Sequence, residues 1–393
     1  MSPHRALVLV FALHGAVAGS FATRIPWIQD RLDLSPGVLG VALLCPSIGA
    51  LTGMPMASRL AHRLGERLAI RLLLAAWCAV LALPALAPAP VWLCGAMLLF
   101  GLTAGMSDVV MNAQAVRLER HLGRSIMSGL HGMWCVGSLA GGAAGMLAAH
   151  LEIDARAHLG TAALVLLGVG AVSGRSLFAG KTEAEAAAAP RRFVLPSKAI
   201  AAIGAVGFCG TFAEGAAADW TAVYLTEVTD AGPGTAAASY TIFMLAMASA
   251  RLVADRFVRR FGAVAIVRCG GATAAAGGVL VVLARTPALG IAGFALMGLG
   301  VAAIVPLVFV AAANAGRTPA EGVAGVATIT YLSVLTAPAI TGWVADAASY
   351  PAAFAMITAV LVVMTLLAGV LRAHGAPPAR ARVPRDEAAP ASA

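Results

Sequence analysis

Apolar stretches long enough to cross a membrane recur along most of the chain. A bilayer core of about 30 Å is crossed by about 20 apolar residues of α-helix, and twelve stretches meet that requirement. They cover residues 6–27, 36–57, 68–87, 91–116, 126–149, 158–178, 199–225, 234–255, 264–284, 288–313, 321–345 and 351–372. None shows the alternation of polar and apolar residues that marks a membrane β-barrel. The sequence therefore predicts an all-α membrane protein with twelve transmembrane helices.

The composition excludes a water-soluble fold. Hydrophobic residues make up 60% of the chain and charged residues 11%, whereas soluble domains carry roughly 25% charged residues. Glycine and alanine are frequent inside the apolar stretches. Small side chains let helix backbones approach each other in lipid, where no hydrophobic force drives helices together. The same composition therefore favours a closely packed helical bundle.

Basic residues are distributed unevenly between the two sides of the membrane. Of the 27 lysines and arginines, only Arg24, Arg31, Arg156 and Arg285 fall on the side opposite the termini. Loops rich in lysine and arginine stay in the cytoplasm, so we expect a bacterial inner-membrane (plasma-membrane) protein with both termini cytoplasmic. Topology accounts for the net charge of +9, and no nucleic-acid partner is expected.

An internal repeat divides the chain into two related halves. A shift of 197 residues aligns Gly53–Arg71 with Ala250–Arg268, with identical residues at five of the nineteen positions. The same shift pairs residues in other helices: Phe11 with Phe208, Gly101 with Gly298, Trp134 with Tyr331 and Gly145 with Gly342. Six helices per half in one orientation form a parallel repeat, which places a solute site between the halves near the bilayer midplane.

The repeat predicts how the chain is divided. We expect an N-terminal six-helix bundle at 1–178, a cytoplasmic linker at 179–197, a C-terminal six-helix bundle at 198–372 and a disordered tail at 373–393. The Ala-Val-Ala sequence at 16–18 resembles a signal-peptide cleavage site. Because the first helix has a counterpart in the second half, we expect it to be retained.

Several functional classes find no support in the sequence. HExxH, GxSxG and P-loop motifs are absent, so we do not expect an enzyme. The six cysteines fall inside predicted helices without a CxxC pair, and we expect reduced thiols with neither a metal nor another cofactor. A transporter-shaped receptor without flux would need a larger signalling region than 179–197 or 373–393.

Two segments resemble the GxxxDRxGRR signature that major facilitator transporters carry between helices 2 and 3 and between helices 8 and 9. They are Ser58–Gly65, where Ser58 replaces the usual Asp, and Asp255–Gly262, which keeps Asp255 and Arg256. The resemblance extends over nearly the whole chain. It implies a major facilitator fold, with two pseudo-symmetric six-helix bundles, and transport of a solute.

Three longer strings are similar to the YbjJ group of bacterial permeases, near the fucose:proton symporter branch. They are GLTAGMSDVVMNAQAVRLER at Gly101–Arg120, LHGMWCVGSLAGG at Leu130–Gly142 and FAEGAAADW at Phe212–Trp220. The fourth helix of that branch carries a similar Gly-rich run, then an acidic residue, then Asn four residues later. The resemblance implies proton-coupled symport of a sugar-like or polar metabolite.

Acidic residues inside membrane helices mark candidate functional sites, because an Asp at the bilayer centre costs about 2.5 to 3.5 kcal/mol. Asp108 and Asn112 lie four residues apart and share a helix face, so the amide can orient the carboxylate or hold a solute hydroxyl. His14 is expected at a similar depth, where it would share a proton with Asp108. The alternative is that these side chains only form packing hydrogen bonds between helices.

Two further acids lie on the seventh predicted helix. Glu214 falls near the midplane and is a candidate for proton or solute binding. Asp219 lies roughly 140° further around the helix, so the two carboxylates cannot serve one ligand on one face. We expect Asp219 to meet Arg24 as an extracellular gate, or to anchor the outer helix end together with Trp220.

Other polar and aromatic side chains complete the candidate sites. Those expected to bind solute are Asn112, Gln114, His131, Trp134, Tyr240 and Tyr331. His131 and Trp134 share a helix face and offer a donor and a stacking surface, although packing between helices would also explain them. Asn314 falls at a helix end and is assigned to capping. The expected inner gate consists of ion pairs among Arg59, Asp255, Arg256 and Arg260, unless these charges only set the topology.

Together these features predict a monomeric secondary transporter that works by alternating access in the lipid bilayer, with a small solute and protons as partners. Proton-coupled uptake of a sugar-like or polar metabolite and proton-driven export of a drug or metabolite both remain open. The symporter-like fourth helix favours uptake.

Overall fold

In the residues that the computed structural model describes, helices are the only regular secondary structure. These residues are 2–122, 126–177, 197–316 and 319–373. Twelve helical segments are long and apolar enough to cross a membrane, so the predicted all-α fold with twelve spans is confirmed. The predicted linker and tail lie outside the described residues, apart from Ser197 and Ala373.

We number the twelve spans in chain order, with spans 1–6 forming the N-terminal half and spans 7–12 the C-terminal half. Three of them are interrupted by two non-helical residues each. The spans are Pro3–Ala22 with Ile25–Leu32 (1), Pro36–Leu64 (2), Glu66–Val80 with Leu83–Leu86 (3), Pro90–Leu122 (4), Met127–His150 (5), Ala155–Ser173 (6), Lys198–Thr229 (7), Pro233–Phe261 (8), Ala263–Val282 (9), Pro287–Val301 with Ile304–Ala315 (10), Pro319–Ala347 (11) and Tyr350–Leu367 (12). Short 3₁₀ turns follow spans 6 and 12, at Gly174–Ser176 and Ala368–Ala373.

Spans 2 and 8 run further than the sequence predicts. Their Arg-rich ends are helical rather than loops, and each helix stops at a glycine with positive φ, Gly65 at 76° and Gly262 at 80°. A residue with a Cβ is strained in that conformation, whereas glycine adopts it readily. The two glycines stand 197 residues apart, so the turn after the second helix is repeated in both halves.

Side-chain caps fix the starts of spans 6 and 12. The Asp154 carboxylate accepts a hydrogen bond from the Arg156 backbone N–H at 2.8 Å. The Ser349 hydroxyl accepts one from the Ala352 N–H at 3.2 Å. The first turn of a helix leaves its amides without helical partners, and such caps satisfy them. The last span of each half therefore begins at a capped turn.

Close backbone contact holds spans 1 and 5 together. Gly15 and Gly19 lie against the backbone of span 5, and Gly137 and Gly141 lie against the backbone of span 1. A Cβ at any of these four positions would overlap a carbonyl oxygen of the facing helix. Glycine is required at these four positions, because only hydrogen at the side-chain position permits this approach.

Spans 2 and 4 pack in the same way and have a counterpart in spans 8 and 10. Gly101 lies against the Pro46 carbonyl, and 197 residues later Gly298 lies against the Phe243 carbonyl. A Cβ at Gly298 would stand 2.6 Å from that oxygen, whereas one at Gly101 would overlap its neighbour more deeply. The repeat in the sequence is thus present in the packing, and this contact is looser in the C-terminal half.

The two halves meet where span 2 packs on span 11 and span 5 packs on span 8; we call this boundary the seam. The side predicted to face the cytoplasm is called the inner side, and the opposite one the outer side. On the outer side, Gly40 packs on Pro338 and Gly342. Nearby, Gln29 Nε2 donates to the Tyr350 hydroxyl at 2.9 Å. These contacts close the seam at the outer side.

Candidate transport site

The acid of span 4 is held by the amide one turn further along. Asn112 Nδ2 donates to Asp108 Oδ1 at 3.0 Å and to the Asp108 carbonyl oxygen at 2.9 Å. Both side chains are half-buried. The structure thus brings these two predicted residues into contact, and the amide fixes the orientation of the carboxylate. Among the described contacts of Asp108, none is an ion pair with a cation.

His14 of span 1 is buried among three other helices. Trp134 Nε1 donates to His14 Nδ1 at 3.2 Å, His14 Nε2 lies 3.4 Å from the Ala104 carbonyl oxygen, and the imidazole stacks on Trp77 with centroids 5.2 Å apart. An indole N–H can only donate, so Nδ1 carries no proton and Nε2–H donates to Ala104. His14 is therefore a neutral imidazole with both nitrogens engaged.

The predicted proton-sharing pair is not formed in this state. His14 and Asp108 are near enough to interact electrostatically, but no direct hydrogen bond joins them in the described structure. A second proton could reach the imidazole only if Trp134 released Nδ1. The similar depth expected from the sequence is correct, but each side chain has a closer neutral partner.

Tyr331 of span 11 faces Asp108 from the other half. The side chain of Tyr331 is 49% exposed, and its hydroxyl is within electrostatic range of Asp108. Within the described residues no hydrogen bond links them, and the exposure of Tyr331 shows that the seam is open where it faces Asp108; we call this opening the seam gap. With the outer side closed by the contacts described above, the seam gap lies toward the inner side.

His131 and Trp134 do not form the predicted common surface. The Trp134 indole turns toward span 1, where the neutral His14 supplies an acceptor. His131 is exposed, with its ring edge-on to Phe11 at a centroid distance of 5.4 Å. In this state His131 remains a candidate for solute contact, whereas Trp134 supports the position of His14.

Glu214 of span 7 takes part in an ion pair that the sequence did not predict. Arg251 Nη2 donates to Glu214 Oε1 at 2.8 Å, and Arg251 Nε donates to the Ala302 carbonyl oxygen at 3.2 Å. Cys135 of the N-terminal half lies next to both charged groups. The sequence interpretation counted Arg251 among the cytoplasmic charges. Because Arg251 lies inside the predicted stretch 234–255, the sequence could have indicated that this arginine is within the membrane helix.

Tyr240 joins the halves near Asp219. Its hydroxyl and that of Ser138 lie 3.2 Å apart, in a hydrogen bond across spans 8 and 5, and Asp219 is within electrostatic range of the Tyr240 ring. Tyr240 is only 5% exposed. In this state its hydroxyl therefore bridges the seam and is not open to a solute. The sequence analysis had instead expected Tyr240 to bind solute.

The predicted gate between Arg24 and Asp219 is absent from the described contacts. Arg24 is buried in the N-terminal half, where its Nε donates to His158 Nδ1 at 3.1 Å and its Nη2 donates to the Ile153 carbonyl oxygen at 2.6 Å. These partners belong to the outer end of span 6 and the turn before it. The prediction used depth alone, and depth does not say toward which half a side chain points.

The predicted inner gate is not assembled in the described residues. Arg59, Arg256 and Arg260 are exposed, and the Arg260 guanidinium lies 5.3 Å from the Phe261 ring centroid. The side chain of Asp255 lies outside the described residues. Exposed arginines at the ends of spans 2 and 8 agree with a seam that is open on this side.

The remaining predicted residues lie away from the seam gap. Gln114 is completely buried in span 4, and Asn314 is exposed at the end of span 10. An ion pair between Glu66 and Arg117 ties span 3 to span 4 and was not predicted. All six cysteines are free thiols, and the described part of the chain holds no group of three or more metal-ligating side chains.

Comparison with known proteins agrees with this fold. The family model described as Major Facilitator Superfamily matches residues 7–316 and 203–393. An uncharacterized transporter of Sinorhizobium fredii, y4wD, is 33% identical over 378 residues, which cover 95% of this chain and 99% of the relative. An uncharacterized MFS-type transporter of Yersinia pestis is 33% identical over 357 residues, covering 90% of this chain and 92% of the relative. The chain belongs to the Major Facilitator Superfamily.

A solved structure shows the same fold at low sequence identity. A variant of the nucleoside transporter NupG superposes with a TM-score of 0.77 over 94% of this chain and 100% of its own, at 13% identity. That similarity concerns the fold alone. The family match and the relatives define a multi-pass membrane transporter of small solutes.

Proposed function

We propose that this transporter couples solute movement to protons and that Asp108 carries the coupling proton. The observation behind the proposal is the state of the Asp108 carboxylate. It lies inside span 4 at the seam, and its hydrogen-bonding partner, Asn112, is neutral. A carboxylate at membrane depth without a cation is costly. Proton uptake removes that cost. Coupling then requires that the two facing states solvate the carboxylate differently, so that their affinities for the proton differ.

Asn112 and His14 support this cycle in different ways. Asn112 holds one carboxylate oxygen and leaves the other for a proton or a solute hydroxyl. His14 is the second group in this proposal that can accept a proton. Trp134 must release His14 Nδ1 before that nitrogen can be protonated. A change in the rotamer of the Trp134 side chain would therefore control access of a proton to His14.

The solute is proposed to be a sugar-like or polar metabolite taken up by symport. Tyr331 is exposed at the seam gap and faces the part of span 4 that carries Asp108 and Asn112. His131 of span 5 is also exposed. Their hydroxyl, imidazole and amide groups suit a solute with several hydroxyls. The proposals that the solute is taken up and that this protein lies near the fucose:proton symporter branch are supported by the span 4 sequence GLTAGMSDVVMNAQAVRLER, which resembles that branch. Inner-membrane location, cytoplasmic termini, a monomeric state and the boundaries 1–178 and 198–372 belong to the same proposal.

Purified protein in proteoliposomes tests the coupling. Liposomes with an imposed inward proton gradient are screened with radiolabelled sugars, polyols and organic acids, using the wild type, Asp108→Asn and the control Asp154→Asn. Asp154 is an exposed surface acid. We expect gradient-driven accumulation of at least one solute by the wild type and the control. Asp108→Asn should retain exchange down a solute gradient but lose accumulation. Accumulation by Asp108→Asn equal to wild type would contradict the proposal.

A further inference from the structure

Arg251 is held at the seam by groups from three other spans. Its Nε donates to the Ala302 carbonyl of span 10, and its Nη2 donates to Glu214 of span 7. Cys135 of span 5 lies next to it from the N-terminal half. The Arg251 side chain is 32% exposed and that of Glu214 is 24% exposed. The guanidinium is therefore fixed in place yet open to the gap between the halves.

The position of Arg251 follows from a break in span 10. This span is interrupted between Val301 and Ile304, whereas span 4, its counterpart, is one continuous helix. Such a break frees backbone carbonyls at membrane depth, where they must be satisfied by protein or by a water-filled cavity. Arg251 Nε satisfies the Ala302 carbonyl. One edge of the guanidinium thus has a structural partner, and the terminal N–H groups remain for charged partners.

Glu214 engages Arg251 incompletely. Only Oε1 accepts from the guanidinium, while Oε2 is buried and accepts no hydrogen bond within the described structure. A bidentate arginine–carboxylate pair would use both oxygens. The titratable and charged groups facing Glu214 are Arg251 on span 8 and Cys135 on span 5. Asp219, on the same helix, is turned roughly 140° away.

We propose that Arg251 binds a carboxylate group of the transported solute and that protonation of Glu214 releases the guanidinium to receive it. This inference rests on the proposed function and names its substrate class, a polar solute carrying one carboxylate. A proton adds to Glu214 Oε2, the ion pair loses its negative partner, and the solute carboxylate takes the two terminal N–H groups. Asp108, which has no cation among its described contacts, also lies at the seam, so a single carboxylate is favoured over a phosphate dianion.

The charge balance separates the roles of the two acids. The proton on Glu214 compensates the charge of the solute anion, so that step is electrically neutral. The proton on Asp108 adds one positive charge to the complex and supplies the drive. Protonation of Glu214 thus determines whether an anionic solute can bind Arg251, and protonation of Asp108 determines whether the proton gradient drives its movement.

Acetate is the simplest probe of this site, and Cys135 is a local reporter. The protein is prepared with Cys135 as its sole cysteine, and the rate of labelling by a dipyridyl disulfide, which reacts with thiols in acid as well as at neutral pH, is measured with and without acetate at about pH 5 and about pH 8. Acetamide is the uncharged control ligand. A variant with Cys269 as sole cysteine is the control site, since this thiol is exposed on span 9.

We expect acetate, but not acetamide, to slow labelling of Cys135, with an apparent affinity about tenfold higher at the lower pH. Glu214→Gln should make protection independent of pH, because the guanidinium is then always available. This variant keeps the bond from Arg251 to Ala302, and thermal unfolding checks the fold of each variant. Arg251→Gln should abolish protection. No protection by acetate at either pH, equal protection by acetamide, or unchanged protection in Arg251→Gln would overturn the inference.

The labelling experiment involves no transport. The transport assay of Asp108→Asn tests proton coupling, and the labelling assay tests carboxylate binding at Arg251. Either proposal can therefore fail while the other holds.

Discussion

The two halves share a backbone plan but carry different polar chemistry. In the N-terminal half, the polar groups lie around a continuous span 4, and their hydrogen-bonding partners are uncharged. Trp134 donates to the neutral His14, and the Asn112 amide donates to Asp108. In the C-terminal half, an ion pair surrounds a broken span 10. At the repeat distance of 197 residues, none of the four ionisable groups has an ionisable counterpart. Asp108 pairs with Val305, His14 with Thr211, Glu214 with Val17 and Arg251 with Met54. The repeat therefore duplicates helix packing and not the site.

This difference shows how a two-fold scaffold can hold an asymmetric site. Shared features are those that backbone geometry demands, such as Gly65 with Gly262 and Gly101 with Gly298. The residues proposed to bind solute or protons occur once. Each half can then bind one component of the transported complex, and closing the halves around both components links their movements.

The largest expected effect concerns the backbone contacts. Gly101→Val should destabilise the protein by more than about 3 kcal/mol, because its side chain would overlap the Pro46 backbone. Gly298→Val should cost about 1 to 2 kcal/mol, since the Phe243 carbonyl is further away. Gly95→Val, on span 4, is the control, because a Cβ at Gly95 would have no neighbouring atom within 4 Å. Thermal unfolding in detergent gives the comparison, and equal losses for Gly101 and Gly298 would refute the looser contact in the C-terminal half.

The sequence predicts well those features that depend on neighbours along the chain. Twelve spans follow from apolar length, and the contact of Asp108 with Asn112 follows from their spacing of one helical turn. Arg251 finds its partners 37 and 51 residues away, and no local pattern records them. Arg24 shows the same limit, since depth was predictable but the direction of its side chain was not.

A smaller effect distinguishes the ion pair from the neutral network. Arg251→Met should cost about 2 kcal/mol, allowing for partial solvent screening, because it leaves Glu214 charged and the Ala302 carbonyl without its donor. Adding Glu214→Gln should recover part of that loss. Asp108→Asn should leave stability unchanged or slightly higher, since it removes an uncompensated charge. The measurement is again thermal unfolding, and an Asp108→Asn loss as large as that of Arg251→Met would remove the contrast between the halves.

The smallest effect compares the caps of spans 6 and 12, which are charged and uncharged respectively. Burial tends to raise the pKa of Asp154, but hydrogen bonds and attraction from Arg156 outweigh it, so the pKa lies below its ordinary value of 3.8. Stability from a depressed carboxyl pKa is present above the ordinary value and is lost as pH falls through the folded one. Acidification from about pH 6 to about pH 3 should therefore weaken the solvent-screened Asp154 cap by less than about 1 kcal/mol, whereas the Ser349 cap should not respond.

Amide hydrogen exchange at Arg156 and Ala352 measures the two caps in one sample, after correction for the intrinsic pH dependence of exchange. Protection at Arg156 should fall relative to Ala352 as the pH is lowered. Asp154→Asn keeps a capping oxygen that does not titrate, so its protection ratio should stay constant. A wild-type ratio that is also constant would show that the Asp154 charge adds nothing to the cap, and that the two halves begin their last spans with equivalent turns despite the different side chains.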